Sequence, residues 1–591
     1  MQTVPIPWRH AWERWLGTLL LLASIGVVLG LKLQLDTQSL NLNWDEFNYL
    51  NKIYQHQRGE LTRVLQTFHV QLFAWLTSVK GHEVDQLLAA RKALFGVRIA
   101  TCLCIFALGR TLLGVNGALF AVLSGLSFSM LMRHGETFRF DPLLSLCSAL
   151  AAALLVCLPG NRLAGAAAGA ALALGGLISI KFAVFAPTLL AIVLAQWALG
   201  EVPRRRVATQ ALTCAIAAAC SFGVLLLLHG LSVETESASS TRRFLGRAAG
   251  LMDAETILPQ GKTLLSTLRW DVAFWGLLLV GTMTAYADAL HLRGPARLRG
   301  LLLLALAAPL LTLVIYRNAF PYFYVTIIPL AAVLCGVLVD RLERWTRHTP
   351  LLFILGLALL VAPLHHGARR FFELNSDDHI SIQRTILDGV HQIFPQPTPY
   401  IDRCGMVSSF PKVGPLMSTL MLKRIRDAKN PIFHEILLKH QPRMVLANLS
   451  SLQLNLDHRF AGGKEYRLLR SDFGLLRSNY IHHWGPVWVA GKKLGELKPE
   501  PTKFEILLHG PYTIEASKPV QIDGVEHAPG AVIELTLGRH RAWAQAPTRL
   551  TLRYGDHLLQ PQLKFKGRIF QGLGFVSKPP KAKPIKTPKR R

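Results

Sequence analysis

The chain has 591 residues, 51% of them hydrophobic and 17% charged, with a formal net charge of +29. It is too apolar for an ordinary soluble protein and too long for one domain, so a membrane part must be joined to something else. The apolar residues are concentrated before about residue 365.

The first apolar run, Trp15 to about Leu33, follows Arg9, His10 and Arg14. It lacks a small-residue cleavage site and further runs follow, which predicts a retained helix and not a removed signal. Other runs near the ~20 residues needed to cross hydrocarbon fall at about 94–113, 115–132, 142–159, 163–180, 183–199, 208–228, 271–290, 300–316, 323–340 and 350–365. About eleven spans result. Around Ile180-Lys181-Phe182 one long apolar stretch must be two short helices joined by a tight turn.

Lys and Arg are retained in cytoplasmic loops. With a cytoplasmic N-terminus, the inside loops carry Arg110, Arg162, Arg204-Arg205-Arg206, Arg293 with Arg297 and Arg299, and Arg341 with Arg344 and Arg347. Every inside loop is then basic, and the odd number of spans leaves the chain after residue 365 outside. This predicts an integral, multi-pass protein of the plasma (inner) membrane with an extracytoplasmic C-terminal region. The outer face receives loop 34–93, the turn 133–141, loop 229–270 and the aromatic turn Tyr316 to Tyr324.

Residues 366–475 read as a small α/β region, with helices at Ile380–Phe394 and Pro431–His440 and short strands near 399–402 and 443–448. Residues 476–570 read as short strands with turns, a small β-sandwich. The Lys- and Pro-rich tail within 571–591 is predicted to be disordered. Seven of the eight cysteines fall in predicted spans, leaving Cys404 without a disulfide partner in the outer region. The excess positive charge suits anionic lipid or an anionic envelope glycan, and the outside location argues against nucleic acid.

Two outer segments carry acids: Asn43-Trp44-Asp45-Glu46-Phe47-Asn48-Tyr49-Leu50 and His134-Gly135-Glu136-Thr137-Phe138-Arg139-Phe140-Asp141-Pro142. Polar groups at membrane depth are costly unless paired or functional. Each also has a plainer reading. The Asp45-Glu46 pair could simply open an interfacial helix, Arg139 and Asp141 could be a structural ion pair, and Lys181 could snorkel to the interface. Tyr316, Tyr322 and Tyr324 suit an aromatic belt, and Arg242-Arg243 suits lipid headgroups. His134 and Glu136 lack the spacing of a zinc site. Neither a GxxxxGK[ST] loop nor a GxGxxG turn is present, so an enzyme here would need a substrate activated beforehand, such as a lipid-linked one.

A first outer loop opening on Asp-Glu resembles the GT-C fold glycosyltransferases when taken with Arg139-Phe140-Asp141 after the third span, Lys181 at the outer end of the fifth, and an aromatic turn leading into Ile327-Ile328-Pro329-Leu330. The resemblance covers roughly residues 10–365 and is closest to the branch of protein O-mannosyltransferases and the lipid A aminoarabinose transferase. It implies a GT-C-like catalytic domain over residues 1–365 and inverting transfer (EC 2.4 type) of a sugar from a polyprenyl-phosphate donor to an envelope lipid, glycan or protein.

The family's catalytic acid maps onto Asp45, with Glu46 beside it, and its second acidic motif onto Asp141. Such transfer needs a base for the acceptor proton, here Asp45, and positive charge for the departing phosphate. Lys181, Arg139, Arg242, Arg243 and Arg317 are candidates for that charge, and Tyr322 for substrate contact. Adjacent side chains on a helix diverge by ~100°, so Glu46 should serve differently, orienting the acceptor or joining Asp45 and Asp141 around a divalent cation, Mg or Mn. The residues leave the need for a metal open. A transporter or flippase of a lipid-linked or anionic substrate is the alternative, but no second copy of either acidic pattern gives the internal repeat usual in transporters.

Overall fold

The computed structural model describes residues 8–233, 257–346, 348–564 and 567–570. Arg242, Arg243 and the 571–591 tail therefore lie outside the described residues.

Among the described residues the apolar runs coincide with eight helical segments long and apolar enough to cross a bilayer, and with three shorter apolar helices, Val115–Ser127, Asp141–Cys157 and Arg162–Ile178. Their burial separates interior from periphery. In the Pro321–Trp345 segment 89% of the apolar stretch is enclosed, against 6% in Arg204–Leu231, whose outward Leu212, Ile216, Val224 and Leu227 suit lipid. The chain turns tightly after Ile178, where the Ser179 hydroxyl accepts the Lys181 N–H at 3.4 Å. One 3-10 turn, Ile180–Phe185, then leads into the helix Ala186–Leu199. The two-helix reading of that stretch describes the observed path.

The aromatic belt is not what forms at the Tyr316–Tyr324 turn. Tyr316 and Tyr324 are 3% and 0% exposed, and Tyr324 stacks on Phe128 at 6.0 Å. The enclosed helix that follows draws its first turn into the bundle, away from a lipid interface.

Beyond the last long helix, Pro350–Asn375, the helix Ile380–Ile393 leads into a mixed sheet. Strand β1 (Tyr400–Ile401) pairs in parallel with β2 (Met444–Leu446). The eleven-residue β4 (Val487–Leu497) then lies antiparallel to β2 through Val445 and Trp488, and to β11 (Thr548–Tyr554) through Leu552 and Lys492. Strands β6 (Gly510–Glu515) and β9 (Val532–Leu535) complete the order β1-β2-β4-β11-β6-β9, and β3 (Tyr480–Trp484) pairs with β4. Because β4 serves both halves, the boundary expected near residue 475 does not divide the structure.

A second sheet runs β5 (Thr502–Ile506), β10 (Gly538–Trp543), β7 (Val520–Ile522) and β8 (Val525–His527). Its Phe504, Ile506, Ile522 and Ala542 share one apolar core with Ile514, Leu550 and Leu552 of the first sheet, a sandwich arrangement.

The C-terminal region also reaches the first loop. Phe47, Leu50 and Ile53 of the helix Trp44–Gln57 pack in one cluster with Ile386, Leu387, Met406, Met444 and Val487. That helix is thus held between the bundle and the C-terminal sheet.

Candidate active site

The helix Trp44–Gln57 begins on a capping box: the Asn43 side chain accepts the Asp45 N–H at 2.9 Å, and Glu46 Oε1 accepts the Asn43 N–H at 2.7 Å. Such reciprocal caps satisfy helix-end donors that would otherwise be orphaned. Here the cap also sends the two neighbouring acids in different directions.

Glu46 is fully buried. Its carboxylate accepts Arg91 Nη2 at 2.7 Å and Nε at 3.0 Å, and the Phe138 N–H at 2.8 Å. Arg91 in turn donates to the carbonyls of Asp36, Leu40 and Asn41 at 3.0, 2.8 and 3.1 Å. Glu46 therefore clamps the first loop to the second acidic turn, and its oxygens are committed to the protein. Beside it Lys32 pairs with Asp36 and with Glu136 at 2.6 Å, and Glu136 pairs with Arg98 at 3.2 Å. Gly135 allows that turn to close on Arg98, since a Cβ there would meet Arg98 Nη2 at 2.7 Å.

Asp45 points instead to Arg139 Nη1. Arg139 Nε donates to Asp141 Oδ2 at 3.1 Å, and Lys181 Nζ lies 3.4 Å from Asp141 Oδ1. Tyr322 covers this row, with its ring centroid 3.7 Å from the Arg139 guanidinium carbon and 4.8 Å from Lys181 Nζ, which also lies 4.7 Å from Phe140. Five of the residues singled out in the sequence, Asp45, Arg139, Asp141, Lys181 and Tyr322, thus form one cluster of two acids, two cations and an aromatic lid. Arg317 is exposed, and no contact joins its guanidinium to the cluster among the described residues.

The metal expectation does not fit this donor set. Asp45, Glu46 and Asp141 do not converge on one point: Glu46 is spent on Arg91 and backbone N–H groups, and the other two are already neutralised by Arg139 and Lys181. A divalent cation here would meet two fixed positive charges in place of a free carboxylate shell. No group of three metal-ligating side chains occurs among the described residues.

Tyr49, His69 and Lys52 adjoin the cluster and were not singled out in the sequence. Tyr49 lies one helical turn after Asp45, the spacing that puts two residues on one face, and it packs edge-on to Phe140 at 5.4 Å and to His69 at 5.0 Å. Burial, with the charges of Asp141 and Tyr322 adding, pushes the Tyr49 phenol well above its ordinary value. The Lys52 ammonium lies 5.7 Å from the Tyr49 ring centroid, and burial with Arg63 lowers it to about 8.

Burial, and secondarily the Lys52 charge, lowers the His69 imidazole from 6.5 to about 3. The unfolded chain therefore binds the extra proton across that window, so stability is lost as pH falls from 6.5 towards 3. At ~1.4 kcal/mol per unit, the loss reaches a few kcal/mol. Denaturation at stepped pH should show this acid slope in the wild type and a clearly flatter one in His69→Gln.

No family profile matches the sequence, and no curated protein does. Solved structures are similar in backbone arrangement. ArnT from Cupriavidus metallidurans bound to undecaprenyl phosphate aligns over 74% of this chain and 93% of its own, at 16% identity and a TM-score of 0.49. The oligosaccharyltransferase AglB from Archaeoglobus fulgidus, in complex with an inhibitory peptide and a dolichol-phosphate, aligns over 90% and 76%, at 11% identity and 0.46. Arabinosyltransferase EmbB from Mycobacterium smegmatis aligns over 95% and 64%, at 13% identity and 0.39. All three TM-scores lie below 0.5.

Proposed function

We propose that the protein is a GT-C-like membrane glycosyltransferase that moves a sugar from a polyprenyl-phosphate donor to an envelope acceptor on the extracytoplasmic side, with inversion. The observation that carries this reading is the Asp45–Arg139–Asp141–Lys181 row together with an apolar cavity of about 410 Å³, whose lining includes Phe182, the residue after Lys181, with Leu155, Leu172, Phe185, Leu189 and Val193. A charged head with a long apolar tail is the ligand that needs both.

In this reading the acceptor oxygen attacks the anomeric carbon while the bond from that carbon to the phosphate oxygen breaks. The acceptor proton passes to Asp45, and the electron pair leaves with the lipid phosphate. Arg139 and Lys181 stabilise that leaving charge, Arg139 as a planar fork and Lys181 as a point charge. Asp141 holds the two cations in register between turnovers. Glu46 acts at a distance by fixing Phe138 and, through it, Arg139.

The test is sugar transfer by the full-length protein in proteoliposomes supplied with labelled polyprenyl-phosphate sugars. A charge-assisted contact contributes about 1.5–3 kcal/mol. Lys181→Met should therefore raise the donor KM roughly tenfold or more, and Lys181→Arg should restore most of it. An unchanged donor KM in Lys181→Met, or no transfer from any such donor by the wild type, would remove the proposal.

A further inference from the structure

We infer that the C-terminal region supplies an acceptor subsite, a cluster of three arginines that takes the phosphate or carboxylate groups of an anionic glycan; this inference rests on the transferase reading above. The cluster is centred on Arg403, in the loop after β1. Its guanidinium carbon lies 4.3 Å from the Trp44 ring centroid and 5.3 Å from that of Tyr466. Trp44 immediately precedes Asp45, so the arginine from the C-terminal region sits beside the residue preceding the proposed base.

The other two arginines are tied to the same short segment. Arg426 Nη1 donates to the carbonyls of Glu465 and Arg467 at 3.1 and 2.8 Å, and Arg467 Nη2 to the carbonyl of Arg459 at 2.8 Å. Among the described residues the partners of all three guanidiniums are neutral: carbonyls or ring faces. Of the acids nearby in sequence, Glu465 is exposed and enters the cluster through its carbonyl, and four others are spent elsewhere. Asp402 accepts the N–H groups of Cys404, Gly405 and Met406, Asp427 pairs with Lys423, Asp457 with Arg459, and Asp472 caps Ile432 and Phe433.

Two further observations point to a ligand. Arg403 Nε and Arg467 Nε are buried and have no hydrogen-bond partner among the described residues, and a buried polar group left unpaired is costly. The loop carrying Arg403 is also fixed on the Asp45 helix: Ser408 Oγ lies 3.4 Å from the Phe47 carbonyl, and a Cβ on Gly405 would meet Asn51 Cγ at 2.6 Å. Arg403 over the Tyr466 ring, Arg426 on the carbonyls of Glu465 and Arg467, and Arg467 itself meet at residues 465–467, and this favours an anion there, because the planar fork matches carboxylate and phosphate oxygens bidentately. The flanking Trp44 and Tyr466 rings add flat apolar faces with a polar edge, which suit sugar rings better than a headgroup at a fluid bilayer surface. The acceptor would thus bridge the bundle and the C-terminal sheet, with its anionic groups on the arginines and its hydroxyl near Asp45.

The test is direct binding to the full-length protein in phosphatidylcholine nanodiscs. The probes are poly(glycerol phosphate), polygalacturonate and neutral dextran, with phosphatidylglycerol vesicles as the lipid arm. The expected result is binding of one or both anionic polymers and not of dextran, weakened at least tenfold in Arg403→Gln/Arg467→Gln at unchanged thermal stability. Arg539→Gln/Arg541→Gln, which removes equal charge from β10, should bind as the wild type does. If the first pair of substitutions destabilises the protein, Arg467→Gln alone should still weaken binding severalfold. Unchanged binding, equal loss in both double variants, or binding to the vesicles alone would overturn the inference. No sugar is transferred in this assay, so its failure would remove the acceptor subsite and leave the donor chemistry to stand on the Lys181→Met result.

Discussion

Arg91→Met is expected to destabilise the protein by about 3–5 kcal/mol, the cost of breaking a buried ion pair by removing one partner, and to abolish transfer with it. Arg91 is 1% exposed and Glu46 is 0% exposed. Losing the guanidinium would leave the Glu46 carboxylate buried without its cation, and would orphan the carbonyls of Asp36, Leu40 and Asn41. The damage would spread because Glu46 also caps the Asp45 helix and holds the Phe138 N–H, so both acidic segments depend on one side chain. Glu46→Gln should be milder, since an amide oxygen can still accept two of these bonds. Denaturant titration in detergent would check this: a loss under about 1 kcal/mol for Arg91→Met would mean that the pair is not the clamp described here.

The second large effect is expected at Asp45. Removing a general base lowers the chemical rate by about 10²–10⁴, and Asp45→Asn should do so with little change in stability. The contrast with Glu46 follows from geometry. Asp45 keeps a 13% exposed side chain and, among the described residues, one charged partner, Arg139, which stays paired with Asp141 when Asp45 becomes an isosteric amide. Donor KM should move little, because Lys181 and Arg139 remain on Asp141. A fall in kcat without a matching rise in donor KM would identify an interaction used in the transition state and not in binding.

Much of this organisation was legible in the sequence, for reasons that are local. Spans announce themselves by length and hydropathy, and the turn at Ser179 was required by the charge of the loops that follow. Asp45 and Asp141 could be singled out because each sits in a short polar segment next to a long apolar run. The rest depended on contacts that no local pattern encodes. Arg91 lies 45 residues from Glu46 and reads, in its own helix, as one more interfacial cation. Its presence turned Glu46 from a neighbour of the base, or a metal ligand, into a clamp.

Tyr316 and Tyr324 read as belt residues because hydropathy does not distinguish an enclosed helix from a lipid-facing one. The sheet that runs across residue 475 was illegible for a similar reason: β4, after that point, pairs with β2, before it, and with β11, and strand pairing over such distances leaves no mark in composition. Arg403, brought onto Trp44 from another part of the chain, had no signal at all.

A transferase site at the Asp45–Arg139–Asp141–Lys181 row must move sugar from lipid to acceptor. Its most direct test is to measure sugar transfer from labelled polyprenyl-phosphate donors to envelope acceptors in proteoliposomes, with wild-type protein and Asp45→Asn compared at matched folding. Transfer with inversion is expected of the wild type, with at least a hundredfold loss in Asp45→Asn, within the range for removal of a general base. Undiminished transfer by the variant would contradict it.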